Sequence, residues 1–514
     1  MDNDMYILAY DFGTGGIKAS LYGADGACVA SGFDAYPTTY PASGSHEQAP
    51  ADWWRATVQA TRRLTERLAP EQVKAIRALG ISGHSLGVVP LDAAGNLLRP
   101  TVPIWSDSRA GAEAEAFFRE VPEEAWYMKT GNGFPPALYS VFKLMWFRVH
   151  EPDWFGRAAT ILGTKDYINY RLCGVRATDF SYASGTGVYD LASRRYDDGL
   201  VAASDLPRSL FPEIVPATQV LGTLTADAAR ELGLPREVKV VAGGVDNSCM
   251  ALGAGAWRAG RAYCSLGSSA WIAVSSAKPL LDPVTRPYVF DHVAPGQYAS
   301  ALAIFSAGTA HTWCRDVLCG GIDYSAMDAE AAQAGRGAHD LYFNPSLAGG
   351  SPLDPTPALR GAFANLDLRH TRGDVVRAVM EGVAFGLRRA LDELARLAPV
   401  ADPLTLVGGG ANSSLWRQIY ADVYGRRVAR AAIGQQAAAL GAALVAGVGA
   451  GVWNDFSILD TISRADAEAA PDPEAATDYA RRYANWRLLT DKLGEWGKWK
   501  GRVVAPRLAE KGEI

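Results

Sequence analysis

Short apolar runs separated by glycine set the rhythm of the chain. Tyr6–Asp11 reads as a buried strand, Gly13-Thr14-Gly15-Gly16 as a turn and Ile17–Tyr22 as a second strand, with a turn at Ala24-Asp25-Gly26 leading to a third. The pattern returns as strand Ala262–Leu266, turn Gly267-Ser268-Ser269 and strand Ala270–Val274. Two glycine-bearing hairpins about half a chain apart predict a duplicated architecture whose halves face one cleft.

Strands and helices alternate around these hairpins. Asp52 is the expected N-cap of a helix whose apolar face carries Trp54, Val58, Leu64 and Leu68. Leu79–Ser82 and Val238–Ala242 read as strands, the second running into Gly243-Gly244-Val245-Asp246. Gly373-Asp374 opens a long helix with Val375, Val379, Val383, Leu387, Leu391 and Leu394 at helical spacing, stopping before Pro399. Leu404–Val407 is a short strand that empties into Gly408-Gly409-Gly410, with a helix from near Ser414. Alternation in both halves predicts an α/β fold. The expected boundary gives domains of 1–247 and 248–514, with a charged and aromatic helical tail from about residue 453.

Composition narrows the class. A chain of 514 residues exceeds one hydrophobic core, and 48% hydrophobic against 20% charged residues marks it as folded. A net charge of −5 without a run of Lys and Arg argues against a nucleic-acid surface. The opening Met1-Asp2-Asn3-Asp4-Met5 is acidic where a signal peptide is basic, and no apolar stretch is long enough for a bilayer, so no membrane partner is expected. Six scattered cysteines without a CxxC pair favour reduced thiols and a cytoplasmic location over a disulfide framework or a zinc site.

Several segments carry candidate chemistry. In Asp11-Phe12-Gly13-Thr14-Gly15-Gly16-Ile17-Lys18, glycines such as Gly13 admit an anion to the backbone, Thr14 adds a hydroxyl and Lys18 a positive charge. Asp11 suits a hydrated Mg²⁺, although a tight hairpin with an incidental acid reads the same way. Gly267-Ser268-Ser269 gains meaning by pairing with that turn as a second phosphate-binding loop. The strand, glycine loop and helix start at Leu404–Ser413 match the geometry in which a nucleotide lies against bare backbone. Asp246 can accept the proton of an attacking alcohol; the other reading is a cap on the following helix.

Gly83-His84-Ser85-Leu86-Gly87 matches the GxSxG elbow of hydrolases, but Val88–Gly95 reads as strand and turn with Pro90 where a helix needs amides. His84 and Ser85 then serve better as polar groups on a substrate wall. Trp105-Ser106-Asp107-Ser108-Arg109 combines an aromatic plate with Asp107 and a guanidinium, a set that suits a polyhydroxylated ligand and is equally a salt bridge beside a core Trp. His292, His311, His339 and His370 show no metal spacing and read as structural.

Taken in order, these segments resemble the FGGY family of carbohydrate kinases, and within it the xylulose-kinase-like branch. The likeness runs from about residue 5 to 450. It includes Tyr10–Lys18, His46-Glu47-Gln48-Ala49-Pro50 with Asp52-Trp53-Trp54, Ile104–Arg109, Phe142–Trp146 and Lys165-Asp166-Tyr167. It continues through Thr178-Asp179 with Ala183–Thr186, Gly243–Asn247, Gly267-Ser268-Ser269, Gly361-Ala362-Phe363, His370–Gly373 and Gly408–Trp416.

The resemblance implies two actin-like, ribonuclease-H-fold domains around a deep interdomain cleft that closes on the sugar, with ATP and Mg²⁺. It places Asp246 as catalytic base and Asp11 as the metal-side acid, holding Mg²⁺ through water. Thr14, Lys18, Gly267, Ser268 and Gly308 fall on nucleotide-phosphate positions, Gly409, Gly410 and Asn412 on the adenine-nucleotide loop, and Asn247 on the substrate side. The implied reaction is phosphorylation of a primary hydroxyl of a ketopentose. Another polyol, a sugar acid or a signalling ketose is the alternative acceptor, and an actin-like switch ATPase the remote one. A small-molecule sugar is the expected partner, and a homodimer is open to it. The branch usually reads Gly-Gln-Met-His-Gly where this chain has Gly83–Gly87, so its sugar-binding Met-His pair falls on Ser85 and Leu86, a change that can redirect specificity. Asn365 replaces a usual glycine, and Leu138 and Val149 also depart from the family pattern.

Overall fold

The computed structural model describes residues 5–432, 436–462 and 465–510; the acidic residues 1–4 lie outside it. The chain divides into two compact units. One comprises Met1–Ala259, Ser275–Ser300 and Gln436–Ser463, the other Gly260–Val274, Ala301–Gln435 and Arg464–Ile514.

The first unit is built on β1 (Tyr6–Gly13), β2 (Gly16–Gly23), β3 (Cys28–Ala35), β4 (Ile76–Gly83), β5 (Val220–Thr223), β6 (Lys239–Val241) and β7 (Gly244–Val245). Their order is β3-β2-β1-β4-β6-β5, with β7 also paired to β4. β1 runs antiparallel to β2 and parallel to β4, β6 parallel to β4, and β5 antiparallel to β6. Ile7 through Tyr10 and Phe12 have no solvent exposure, so β1 is covered on both faces and reads as a continuous apolar run.

The helix Pro50–Thr65 packs on β2 and β3 and buries Trp53, Trp54, Ala60 and Leu64. Asp52 is not its N-cap. Pro50, whose missing N–H costs nothing in a first turn, starts the helix earlier, and the cap is Ala49. Asp52 instead pairs with Arg55 at 3.3 Å.

The helix Ala437–Ala450 belongs to the same unit although it lies late in the chain. It is apolar around most of its circumference, as a fully buried helix must be. It lies against the helix Asp246–Gly253 with the backbones in close approach. A Cβ at Gly441 would sit 1.9 Å from the Cys249 carbonyl oxygen, and one at Gly253 the same distance from that of Ala437.

In the second unit, β8 (Ala262–Leu266), β9 (Ala270–Ser276), β10 (Leu404–Val407), β11 (Val428–Ala431) and β12 (Ala465–Ala469) run in the order β9-β8-β10-β11-β12. β8 is antiparallel to β9 and parallel to β10, β10 parallel to β11, and β11 antiparallel to β12. That is the direction pattern of β2-β1-β4-β6-β5, so the repeated hairpin belongs to a repeated sheet topology. The helix Arg372–Leu397 is held at its start by a capping box between Thr371 and Asp374 and stops short of Pro399. Asn365 has φ +66°, a left-handed conformation that Asn tolerates better than most residues, which suits it to a position usually held by glycine. A terminal helix spans Pro473–Glu510. Among the described residues no helix is long and apolar enough to cross a membrane, and all six cysteines are free thiols.

Candidate active site

Strand register brings one group of the candidate residues together in the first unit. Asp11 on β1 and Gly244 on β7 both pair with Ser82 on β4, forming one cross-strand row. Ser82 Oγ donates to Asp11 Oδ1 at 2.9 Å. Two residues beyond Gly244, Asp246 is the first residue of its helix, and Val245 rather than Asp246 occupies the cap position. The Asp246 carboxylate accepts the Asn247 N–H at 2.7 Å.

Burial raises the pKa of Asp246 to about 7, and the neighbouring charge of Asp11 adds to the effect against the Asn247 hydrogen bond. Burial also raises Asp11, opposed by Ser82 and by Lys18, its cross-strand partner. Both carboxyls retain some solvent exposure. A carboxyl poised near neutrality is matched to taking a proton at physiological pH.

The turn Gly13–Gly16 is held from three sides. Tyr36 donates its hydroxyl hydrogen to Gly13 O at 2.5 Å, Gln48 Nε2 donates to Thr14 O at 2.7 Å, and Trp105 Nε1 donates to Thr14 Oγ1 at 2.9 Å. Tyr36 and Gln48 are absent from the sequence-derived site, because anchoring through a backbone carbonyl leaves no motif. Trp105, expected on the sugar wall, is bonded to Thr14, expected at the phosphates. Asp107 is fully buried, with both oxygens engaged by Arg109 and one also by the His46 N–H at 2.8 Å. So placed, it holds the Trp105 segment from below.

His84 follows β4 and is 2% exposed. Its Nδ1 lies 3.2 Å from Thr164 Oγ1, its ring meets Trp53 edge-on, and Nε2 has no hydrogen-bond partner among the described residues. Burial lowers its pKa to about 4, so the ring is neutral. Ser85 is also buried, and the backbone turns at Leu86, with φ +61°. The chain then enters the strand Val89–Leu91 and not a helix, so this GxSxG segment lacks the architecture of a nucleophile elbow.

The other predicted residues come together in the second unit. Gly267, Ser268, Gly308, Gly409, Gly410 and Asn412 all line one cavity of about 840 Å³, within the usual range for small-molecule sites. Ser268 O accepts the N–H groups of Ala307 and Thr309, and Gly267 O that of Gly308 at 2.9 Å. A Cβ at Gly308 would lie 2.5 Å from Gly267 O, and Gly408, with φ +94°, passes similarly close to Leu266 O. Bare backbone therefore meets bare backbone at the cavity floor. His311, between Tyr324 and Trp416 with ring centroids 5.3 and 5.0 Å away, adds an aromatic wall that the sequence did not reveal. Glycine turns beside aromatic faces fit a nucleotide, whose phosphates need close donors and whose base needs a flat apolar surface.

Among the described residues no group of three or more His, Cys, Asp or Glu side chains could hold a metal by itself. Mg²⁺ ordinarily takes one or two carboxylates and completes its shell with water and substrate phosphate, and Asp11, held by Ser82 and partly exposed, fits that requirement.

The chain is similar to known proteins along most of its length. Residues 6–253 match the N-terminal domain of the FGGY family of carbohydrate kinases, and residues 262–450 its C-terminal domain. The chain is 32% identical over 491 residues to a xylulose kinase of Escherichia coli (strain K12), covering 95% of this chain and 99% of that protein. It is 30% identical over 519 residues to an autoinducer-2 kinase of Yersinia pestis (strain Pestoides F), covering 95% of each. The crystal structure of xylulose kinase from Rhodospirillum rubrum superposes with a TM-score of 0.88 at 32% identity, covering 96% of this chain and all of that one.

Proposed function

Because the chain belongs to the FGGY family of carbohydrate kinases, and is thus a sugar phosphotransferase of actin-like α/β fold, we propose that it transfers the γ-phosphoryl group of ATP to a hydroxyl of a ketopentose of the xylulose type, with Asp246 as general base. The main support for this reading is the row that brings Asp11 and the Asp246-bearing loop to one strand, with burial lifting the Asp246 pKa to about 7.

Asp246 binds the acceptor hydroxyl and takes its proton as the new P–O bond forms; in a loose transition state that proton leaves late, so a carboxylate suffices. Asp11 is the residue that would hold Mg²⁺, acting through water. When bound, the ion supplies charge neutralisation between phosphate oxygens. Gly13, Thr14 and Lys18 on the first hairpin offer amide, hydroxyl and ammonium donors to phosphate; in the second unit Ser268 offers its hydroxyl, while the contact of Gly267 with Gly308 shapes the floor on which the nucleotide lies. Gly409, Gly410 and Asn412 receive the adenine nucleotide. His84, Ser85, Trp105 and Asn247 form or support the sugar wall, with Asp107 fixing the Trp105 segment. Catalysis then consists of positioning plus charge stabilisation.

A xylulose-type acceptor is supported by the 32% identity to a xylulose kinase along nearly the whole chain. Ser85 and Leu86, where the branch usually has Met-His, bear most directly on which ketose fits. A coupled ATP-consumption screen across ketoses, polyols and sugar acids tests the assignment. ATP consumption only with a sugar acid or a polyol would reassign the acceptor, and consumption indifferent to any sugar would remove the kinase reading.

A further inference from the structure

A buried polar chain runs from an ion cluster to the backbone that delivers Asp246, and none of its members takes part in the phosphoryl transfer itself. Lys165, Asp166, Asp179 and Ser181 have no solvent exposure. Lys165 Nζ lies 2.5 Å from Asp166 Oδ1 and 2.9 Å from Asp179 Oδ1. Burial alone would lower the Lys165 pKa, but the two carboxylates more than offset it and keep the ammonium charged. Asp179 Oδ2 accepts the Ser181 hydroxyl, and Ser181 Oγ accepts the Val245 N–H at 2.9 Å. On the other side of the same loop, Lys165 Nζ and Asn169 Nδ2 both donate to Ala242 O, at 3.3 and 2.8 Å. The loop between these anchors admits no side chain. A Cβ at Gly243 would lie 2.1 Å from Ile81 O, and one at Gly244 2.2 Å from Val293 and 3.1 Å from Ser181 Oγ.

A merely solvated or adventitious salt bridge would not be arranged this way. Four polar groups taken out of water are stable only if each is paired, and here the hydroxyl at the end of the network accepts from one backbone amide. That amide belongs to the residue immediately before Asp246. A shift of the Val245 N–H tilts the first turn of the Asp246–Gly253 helix and moves the carboxylate relative to Asp11.

We propose that Ser181, braced by the Asp179–Lys165 pair, is a positioning residue that sets the reach of the Asp246 carboxylate toward the acceptor hydroxyl. The inference rests on the reading of Asp246 as the base. Ser181→Ala removes one hydroxyl and leaves the ion pair in place. It is expected to lower kcat about tenfold to a hundredfold, the scale of a displacement near 1 Å, while KM for ATP and for the sugar stay within about twofold.

A double-mutant cycle with Asp246→Asn tests it. Ser181 acting through Asp246 predicts that Ser181→Ala changes kcat by less than about twofold once Asp246 is Asn. A similar loss in both backgrounds, or a Ser181→Ala enzyme within about twofold of the parent, overturns the proposal while leaving the base assignment intact. An unimpaired Asp246→Asn enzyme instead removes the base assignment, and the proposal with it. Unfolding curves that show parent and Ser181→Ala both fully folded at the assay temperature place the comparison on folded protein.

Discussion

Ser82 donates its hydroxyl hydrogen to the Asp11 carboxylate at 2.9 Å from the strand that also pairs with Gly244. One strand thus fixes Asp11 through a side chain and the Asp246-bearing loop through its backbone. A sheet is a firm mount for Asp11 and for the Gly244 backbone, because neither can drift without breaking ladder hydrogen bonds.

Ser82→Ala should therefore weaken the use of Mg·ATP without unfolding the protein. A hydrogen bond to a charged group contributes about 1.5–3 kcal/mol, so kcat/KM for Mg·ATP is expected to drop about tenfold or more, with partial recovery at higher Mg²⁺. Steady-state kinetics at two Mg²⁺ concentrations check this, and a value equal to the parent's would show that Asp11 needs no such support.

Asp246 carries a stability signature opposite to that of an ordinary acid. Its folded pKa of about 7 lies above the ordinary aspartate value of 3.8, so the folded state favours the protonated form. Its relative stabilising effect is fully present below about pH 4, is lost as pH rises toward 7 and is absent above it. The ionised carboxylate then costs on the order of 2–4 kcal/mol. Asp246→Asn should be the more stable protein at about pH 8 by roughly that amount, with the gap closing near pH 4. Urea unfolding at the two pH values checks the sign; equal stability at the alkaline one would contradict the raised pKa.

Gly308→Ala places a methyl group 2.5 Å from Gly267 O, against backbone that cannot step aside. The cavity floor must deform, and the expected result is an ATP affinity weaker by about tenfold or more. Isothermal titration with ATP and separately with a sugar substrate reads this, the sugar affinity holding at its parental value.

Gly441→Ala tests the helix crossing that supports the Asp246–Gly253 helix. Its Cβ would fall 1.9 Å from the Cys249 carbonyl oxygen, forcing the Ala437–Ala450 helix away from the Asp246–Gly253 helix. Overpacking of this kind costs about 1–3 kcal/mol, and denaturant melts are expected to show that loss together with a lower kcat.

Much of this was legible in the sequence because it rests on local rules. The two hairpins, the strand at Leu404–Val407 and the helix Arg372–Leu397 follow from apolar periodicity and from glycines at turns. Asp246 is visible as an acid behind a glycine pair, the cavity residues Gly267 and Gly409 as parts of donor-rich loops, and Gly308 only through the family resemblance. Asp52 misled because Ser, Thr, Asp and Asn are favoured caps, whereas Pro50 at the first turn is as strong a start signal. Long-range pairing was the part local reasoning could not reach. Gln48 finds Thr14, Ser181 finds Val245 and the helix at Ala437–Ala450 finds Cys249 only once the sheet is assembled. The same limit applies to pKa, since nothing local distinguishes Asp246 from an exposed acid.

Phosphorylation of a sugar with Asp246 as base is best read by ³¹P NMR, following product while the protein turns over Mg·ATP with D-xylulose and a panel of related ketoses. One sugar phosphate monoester should appear for each ADP formed, with the signal reduced on the order of a hundredfold or more in Asp246→Asn. Inorganic phosphate released at the same rate with or without sugar, or an Asp246→Asn protein that makes the ester as fast as the parent, would contradict it.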